Sequence, residues 1–331
     1  MGITEENKQI EELVRDLARK ALKDGEVDCI LGYAEGTIPF SSIPLVIDKV
    51  EEVDKLIWNN LCYMNLAKYL VPPIPQVQDK KVGVICKGCV GRAINVLVTE
   101  KKIDLEKIKM IGIPCNGIVD RGRILKEIGD KEVLEVEFSG DDIIVKGKDW
   151  EKTFPYNDYL SRLCKTCKVK SPPKVEDVCI GECQEVGSVE DDFSDIKEYE
   201  AKSSDEKWAY IVDTLECCTR CYACREACPM CYCNLCFVDQ NKPIWFNKTT
   251  EQSDIIVFHL IRGFHMAGRC VECGACSAVC PMGIDLNLIN RKLKEIVKRR
   301  FDYTSGLNTE TVPPMMKFSM DDAQEFMLEE D

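Results

Sequence analysis

The chain has 331 residues, enough for two domains with separate cores, and a hydrophobic content of 45%, ordinary for a globular protein. A net charge of -13 argues against nucleic acid as a general partner and fits a protein that docks on basic patches of others. No apolar run reaches membrane-spanning length, and the acidic, amphipathic N-terminus MGITEENKQIEELVRD is no signal peptide, so a cytoplasmic setting is expected.

Residues 5–23 carry helical periodicity, with Ile10, Leu13, Leu17 and Leu22 on one side, and Asp24-Gly25 ends that helix. Val27–Tyr33 reads as a buried strand. Glu51–Leu70 reads as a second helix closed by Pro72-Pro73. Val82–Ile85 and Ile108–Ile113 are short β-runs with a helix at Val90–Glu100 between them, an alternation that predicts an α/β core. Val133–Phe138 and Asp142–Lys146 form a hairpin around Ser139-Gly140. Residues 185–207 are acidic and poor in core residues, as in a linker or surface arm. Beyond them come a helix at Asp254–Ala267 and an amphipathic helix at Asp285–Arg300, with Leu286, Ile289, Leu293 and Ile296 on one side. The tail from Tyr303 has two readings: a solvated end, or an arm for a partner subunit built on Met315, Met316, Phe318, Phe326 and Met327.

The 21 cysteines dominate the chemistry. Without an export signal they read as reduced thiols that bind metal, and only two histidines, His259 and His265, are present for a mixed Cys/His zinc site. Two runs share one spacing: Cys218-x-x-Cys221-x-x-Cys224-x-x-x-Cys228-Pro229 and Cys270-x-x-Cys273-x-x-Cys276-x-x-x-Cys280-Pro281. Three thiolates of one turn reach three irons of a cubane, and the cysteine before the proline serves the other cluster. Structural zinc sites pair cysteines instead of using a triplet plus Cys-Pro. Two [4Fe-4S] clusters are therefore expected here. Cys217, Cys231, Cys233 and Cys236 remain, and either hold a further cluster or are buried structural thiols. His259 and His265 tune a cluster or simply pack, and Arg262 and Arg269 raise a cluster potential or are solvated.

Nine cysteines lie in the first half. Cys86-x-x-Cys89 follows one strand, Cys115 follows another, and Cys164-x-x-Cys167 stands later in RLCKTCKVK. Thiolates placed after parallel strands converge at the carboxyl end of an α/β sheet. A third cluster is expected there, with zinc as the alternative.

The wide gap between the two runs resembles the α-helical ferredoxin modules of succinate dehydrogenase and of heterodisulfide reductase small subunits. That resemblance implies crossed ligation: Cys218, Cys221, Cys224 and Cys280 at one cluster, Cys270, Cys273, Cys276 and Cys228 at the other. Residues 9–184 resemble the beta subunit of coenzyme F(420) hydrogenase and its formate dehydrogenase relatives, on GEVDCILGY, EEVDKLIWNNLCYMNLAKYL, VGVICKGCVGRA, IKMIGIPCNG, LCKTCKVK and VEDVCIGE. This implies cluster ligands Cys89, Cys115, Cys164 and Cys167, with Cys86 able to replace Cys89, and Cys179 inside the last of these stretches with Cys183 close behind. It also implies FAD and the deazaflavin F(420). The chain differs from the family pattern in placing its cluster runs behind this part, in lacking a Ser-Gly-Gly stretch before Ile10, and in lacking any G-x-G-x-x-G.

The expected architecture is an α/β (α+β) iron–sulfur domain at 1–184, an acidic linker at 185–207, an α-helical ferredoxin-like domain at 208–302 and a tail at 303–331. The expected function is electron transfer within a soluble anaerobic oxidoreductase complex, between a catalytic hydrogenase or dehydrogenase subunit and a flavoprotein or heterodisulfide-reductase-like partner that binds the carrier. The alternatives are a FAD-dependent oxidoreductase using a deazaflavin or nicotinamide, and a zinc-stabilised scaffold.

Overall fold

The computed structural model describes residues 3–173, 178–180, 192–245, 247–318 and 320, the side chains of 178 and 179 excepted. In chain order it runs α1 (Ile3–Lys23), β1 (Cys29–Glu35), β2 (Ser42–Ile47), β3 (Val82–Cys86), α2 (Gly88–Thr99), β4 (Ile108–Gly112), α3 (Arg121–Ile128), β5 (Glu135–Ser139), β6 (Asp142–Lys146), β7 (Glu151–Pro155), α4 (Arg162–Thr166) and β8 (Val178–Cys179). There follow α5 (Ser194–Glu200), α6 (Ser204–Leu215), α7 (Ala223–Glu226), α8 (Gln252–Met266), α9 (Ala275–Ala278) and α10 (Asn287–Phe301). The α/β part followed by a helical part matches the expected fold class.

The main sheet has the order β2-β1-β3-β4-β8. β1, β3, β4 and β8 are parallel, and β2 closes one edge antiparallel to β1. Every residue of β3 is buried, as a strand covered on both faces requires. α1 starts with Glu5 and Glu6 and ends with Lys20 and Lys23, charges that suit the helix dipole. It turns Ile10, Val14, Ala18 and Ala21 inward, so the buried stripe is rotated from the expected one and Leu13 is exposed. The expected hairpin gains a third strand, giving a sheet β5-β6-β7 over a core of Ile124, Ile128, Ile143, Val145 and Phe154.

The helix expected at Glu51–Leu70 is not formed. Two 3-10 turns, Val50–Lys55 and Leu66–Tyr69, flank an irregular segment. Asparagines explain it: Asn59 Oδ1 accepts from Leu61 N, Asn65 Oδ1 accepts from Ala67 N, and both pull the backbone out of the helical ladder. Within the stretch read as a linker, residues 194–200 form α5, and Ser203 with Glu206 makes a capping box that starts α6.

In the helical part α8 lies against α6 and α10. A side chain at Gly263 of α8 would meet Ile289 and Leu293 of α10, so the glycine permits close approach. The buried positions of α10 are mixed: Asn290, Arg291 and Lys294 lie beside Leu288 and Val297. Arg291 and Lys294 pair with Glu272, and Arg291 also holds Asp195 of α5. Beyond α10 the chain is not a solvated end as far as residue 309. Tyr303, Thr304 and Ser305 are buried, and the strap is tied to α2 through Arg92 Nε to Ser305 O (2.9 Å), Asn95 Nδ2 to Gly306 O (3.1 Å) and Thr99 Oγ1 to Thr309 O (3.4 Å). Met315, Met316 and Phe318 are exposed. Phe326 and Met327 lie outside the described residues.

Candidate metal centres

The first thiol group stands at the carboxyl edge of the main sheet. β3 ends at Cys86, and the turn into α2 puts Cys89 on its first turn. A side chain at Gly88 would come within 2.1 Å of Val169 O, so glycine lets the 167–171 segment lie over the start of α2. That segment is fixed by Cys115 N donating to Lys170 O (2.9 Å), and Ile118 N donates to Cys164 Sγ (3.3 Å). Burial pushes the Cys89 thiol well up and Lys87 opposes it, while the nearby thiols of Cys273, Cys115 and Cys167 raise it further. Burial likewise raises Cys164 to about 11, with Cys115 and Cys167 beside it. Cys89, Cys115, Cys164 and Cys167 are thus neighbours. Cys86 is different: burial alone raises it, and it packs in the core. Cys179 and Cys183 lie outside the described side chains.

Three residues here carry no spacing signal. Cys62 is fully buried near Cys115. Lys87, between Cys86 and Cys89, is buried and donates from Nζ to Cys62 O while sitting over the Tyr33 ring. Asn65 donates to Cys89 O (3.1 Å) and hydrogen-bonds the Cys273 thiol.

The second group gathers Cys270, Cys273, Cys276 and Cys228. Burial raises Cys273 to about 11, with Cys228 next and Cys276 contributing. Burial also raises Cys270, with Glu272, Cys273 and Cys228 adding to it, and it raises Cys276, with Arg262 opposing and Cys228 adding. A hydrogen bond with Cys231 pulls Cys228 down, helped by Arg262.

The third group is the most open. Cys218, Cys221, Cys224 and Cys280 line one small cavity, partly open to solvent, with Arg220, Tyr222, Phe258, His259 and Met282. The cysteine before the second proline therefore stands with the first run. His259 Nε2 lies 3.4 Å from Cys218 Sγ, and burial, then Arg262 and Arg220, lower its pKa to about 4. His259 is thus a packed histidine that also faces the cavity. His265 is exposed, edge-on to Phe237. Arg269 is not solvated: it is paired with Glu100, whose other partner is Tyr232.

The remaining cysteines scatter. Cys217 and Cys233 are exposed. Cys231 is bonded to Cys228 and packs on the main core, whereas Cys236 packs on the helical core and bonds Arg225.

The loops of the two runs share a backbone. Arg220 and Tyr222 in the first, and Glu272 and Gly274 in the second, all have φ between 52° and 72°. Left-handed residues at matched positions give the two Cys-x-x-Cys-x-x-Cys turns the same curl. Among the described residues no group of three or more His, Cys, Asp or Glu is arranged to hold a single metal ion. A cubane asks for a looser arrangement, since each thiolate meets its own iron. The donors are all sulfur, which suits iron–sulfur chemistry. Thiols raised by burial give up their protons readily only when a metal takes the proton's place, and the thiolates so formed would face the cations Lys87 and Arg262. The residues present fit such groups: Cys89, Cys115, Cys164 and Cys167 would hold one, Cys228, Cys270, Cys273 and Cys276 a second, and Cys218, Cys221, Cys224 and Cys280 a third.

No known protein-family profile matches the chain. It is similar over nearly its whole length to two curated proteins. One is the F420-dependent formate dehydrogenase subunit beta of Methanocaldococcus jannaschii, 23% identical, covering 87% of this chain and 89% of the relative. The other is the F420-dependent formate dehydrogenase 1 subunit beta of Methanococcus maripaludis, 26% identical, covering 91% and 92%. Such coverage cannot be contained in residues 9–184, so the likeness extends beyond the half in which the motifs stand out. A chain of the F420-reducing [NiFe] hydrogenase complex from Methanosarcina barkeri aligns with 49% of this chain and 62% of its own length, at 17% identity and a TM-score of 0.36. No helix among the described residues is long and apolar enough to cross a membrane.

Proposed function

We propose that this chain is an iron–sulfur electron-transfer subunit of an oxidoreductase complex, passing electrons between a catalytic subunit and a carrier-binding subunit. The observation that carries the reading is the single cavity lined by Cys218, Cys221, Cys224 and Cys280. A cysteine 56 residues beyond the triplet has no reason to join it unless the two runs exchange ligands, as paired four-iron sites do. The groups also form a series, which supports a relay. Cys89 of the first neighbours Cys273 of the second, with Asn65 bonded at both. Cys276 of the second neighbours Cys224 of the third. Cys221 is exposed, which gives the third group an outlet to a docked protein. On this reading residues 1–184 hold one cluster, 208–302 hold two, and the electrons move one at a time.

The names of the full-length relatives support formate dehydrogenation or a similar reaction in the partner subunit, with a deazaflavin as carrier. They also favour a second reading, in which the chain binds FAD and reacts with that carrier itself. Iron and acid-labile sulfide analysis of anaerobically purified protein, with a flavin assay on the same sample, tests both. About twelve irons per chain without flavin supports the relay, since each of three sites takes four. One releasable flavin per chain supports the second reading. Zinc without iron or sulfide refutes both.

A further inference from the structure

Arg262 lies on α8 with 5% of its surface exposed. One of its terminal nitrogens, Nη2, donates to Cys224 O (3.1 Å), and its Nε has no partner. The thiols around it are those of Cys228, Cys276, Cys231 and Cys224. Cys224 belongs to the third group, and Cys228 and Cys276 to the second. Among the described residues no carboxylate forms an ion pair with it, whereas the other charges nearby have carboxylate or carbonyl partners of their own. Arg269 holds Glu100, Glu272 holds Lys294 and Arg291, and Arg220 donates to Asn247 O and Thr249 O. A guanidinium buried beside neutral thiols is an uncompensated charge, which is strongly unfavourable. Beside metal-bound thiolates it is compensated.

We propose that Arg262 is the shared counter-charge of the two C-terminal cluster sites, a positioning residue that makes both easier to reduce and screens each from the charge the other gains. This rests on the iron–sulfur reading above. Each site gains one electron, supplied in the test by dithionite, and one negative charge. A single cation between the two lowers the cost of that charge at both.

The test uses the anaerobically purified full chain with its clusters, with Arg262→Gln and Arg262→Lys, followed by redox titration under EPR. Iron and sulfide are measured first: their absence from the wild-type protein refutes the function and this role with it, whereas clusters present with unmoved signals refute the role alone. In Arg262→Gln both C-terminal signals should need stronger reduction: at a fixed potential the ratio of reduced to oxidised falls about tenfold for each, equivalent to 59 mV for a one-electron couple. The signal of the Cys89, Cys115, Cys164 and Cys167 site should stay within twofold. Full cluster content with neither C-terminal signal moved, or only one moved, overturns the proposal. If Arg262→Gln does not assemble its clusters, Arg262→Lys decides. Both ratios within threefold of wild type support a role for the charge. A tenfold loss in assembled protein, or failure of this variant to assemble as well, assigns Arg262 to guanidinium packing and overturns it.

Discussion

Replacing Gly306 by alanine should release the strap that joins the helical part to the α/β part. Gly306 has φ +71°, and its new Cβ would stand 2.1 Å from Arg92 O and 2.8 Å from Arg92 C. These are backbone atoms of α2, so a side-chain rotation cannot make room. The left-handed conformation alone costs an alanine about 1 kcal/mol. Lifting the strap then forfeits the Arg92 and Asn95 bonds to Ser305 O and Gly306 O. A bond from a charged donor contributes about 1.5–3 kcal/mol and a neutral one about 1 kcal/mol, so the total is about 3–5 kcal/mol. Gly129 is the control, since its φ is +68° and nothing lies within 4 Å of the new Cβ. Gly129→Ala should cost only the roughly 1 kcal/mol of conformation. Hydrogen exchange of the cluster-loaded protein, read by mass spectrometry over residues 303–309, should show at least a hundredfold loss of protection in Gly306→Ala, since about 1.4 kcal/mol is a factor of ten. The same peptide should be unchanged in Gly129→Ala. Wild-type protection of that peptide in Gly306→Ala would refute the reasoning, because the clash leaves no docked alternative.

Cys280→Ala should remove the same EPR signal as Cys221→Ala, and Cys228→Ala the same signal as Cys273→Ala; pairing by run instead would mean that ligands are not exchanged. Lys87→Met removes the buried ammonium beside Cys89, Cys115 and Cys164, so the midpoint of the α/β cluster should become more negative in a redox titration while the C-terminal pair stays in place. Asp195→Asn takes from Arg291 a two-pronged partner at 2.7 and 2.9 Å but leaves it Glu272, so a loss of about 2–3 kcal/mol is expected, seen as faster bleaching of visible absorbance on anaerobic heating. Burial alone would raise the Asp195 carboxyl, but Arg291 and Arg162 hold it at about 2. A depressed acid contributes stability above its ordinary pKa and loses it as pH falls through the folded value. Exchange protection of the Ser194–Glu200 amides, corrected for intrinsic rate, should therefore be flat from pH 7 to 4.

The strands and the thiols that follow them were legible because both signals are local: a short apolar run, then a cysteine at a fixed offset. The place of Cys280 beside the first run was legible for the same reason, through the proline after it. The segment Glu51–Leu70 was not. Its apolar spacing is helical, but Asn59 and Asn65 offer the backbone closer partners, and Trp58 N is taken by Glu11 Oε2 of α1. Nor was the inner face of α10 legible: Arg291 and Lys294 look like solvent residues until Glu272 and Asp195 arrive from elsewhere in the chain. Arg262 did leave a trace, as a cation inside the apolar run DIIVFHLIRGF, but which anions meet it depends on how the two runs interleave.

The matched loops make the final difference between the two C-terminal sites. With the same backbone, the residue before the second cysteine is Arg220 in one and Glu272 in the other, both well buried. Arg220 leans on carbonyls 27 and 29 residues away, so it closes the outer cavity onto the 247–249 segment. Glu272 instead draws in Arg291 and Lys294, and through Arg291 it reaches α5. The inner site is therefore bolted to the fold by paired charges, while the outer one keeps a positive residue and an exposed cysteine at its rim. A cation beside a cluster would favour its reduced form, whereas a carboxylate would oppose it, an effect that Arg291 and Lys294 offset at Glu272. On the proposed reading Arg220 would ease reduction at the outer site, and the exposed Cys221 would face a docked partner there.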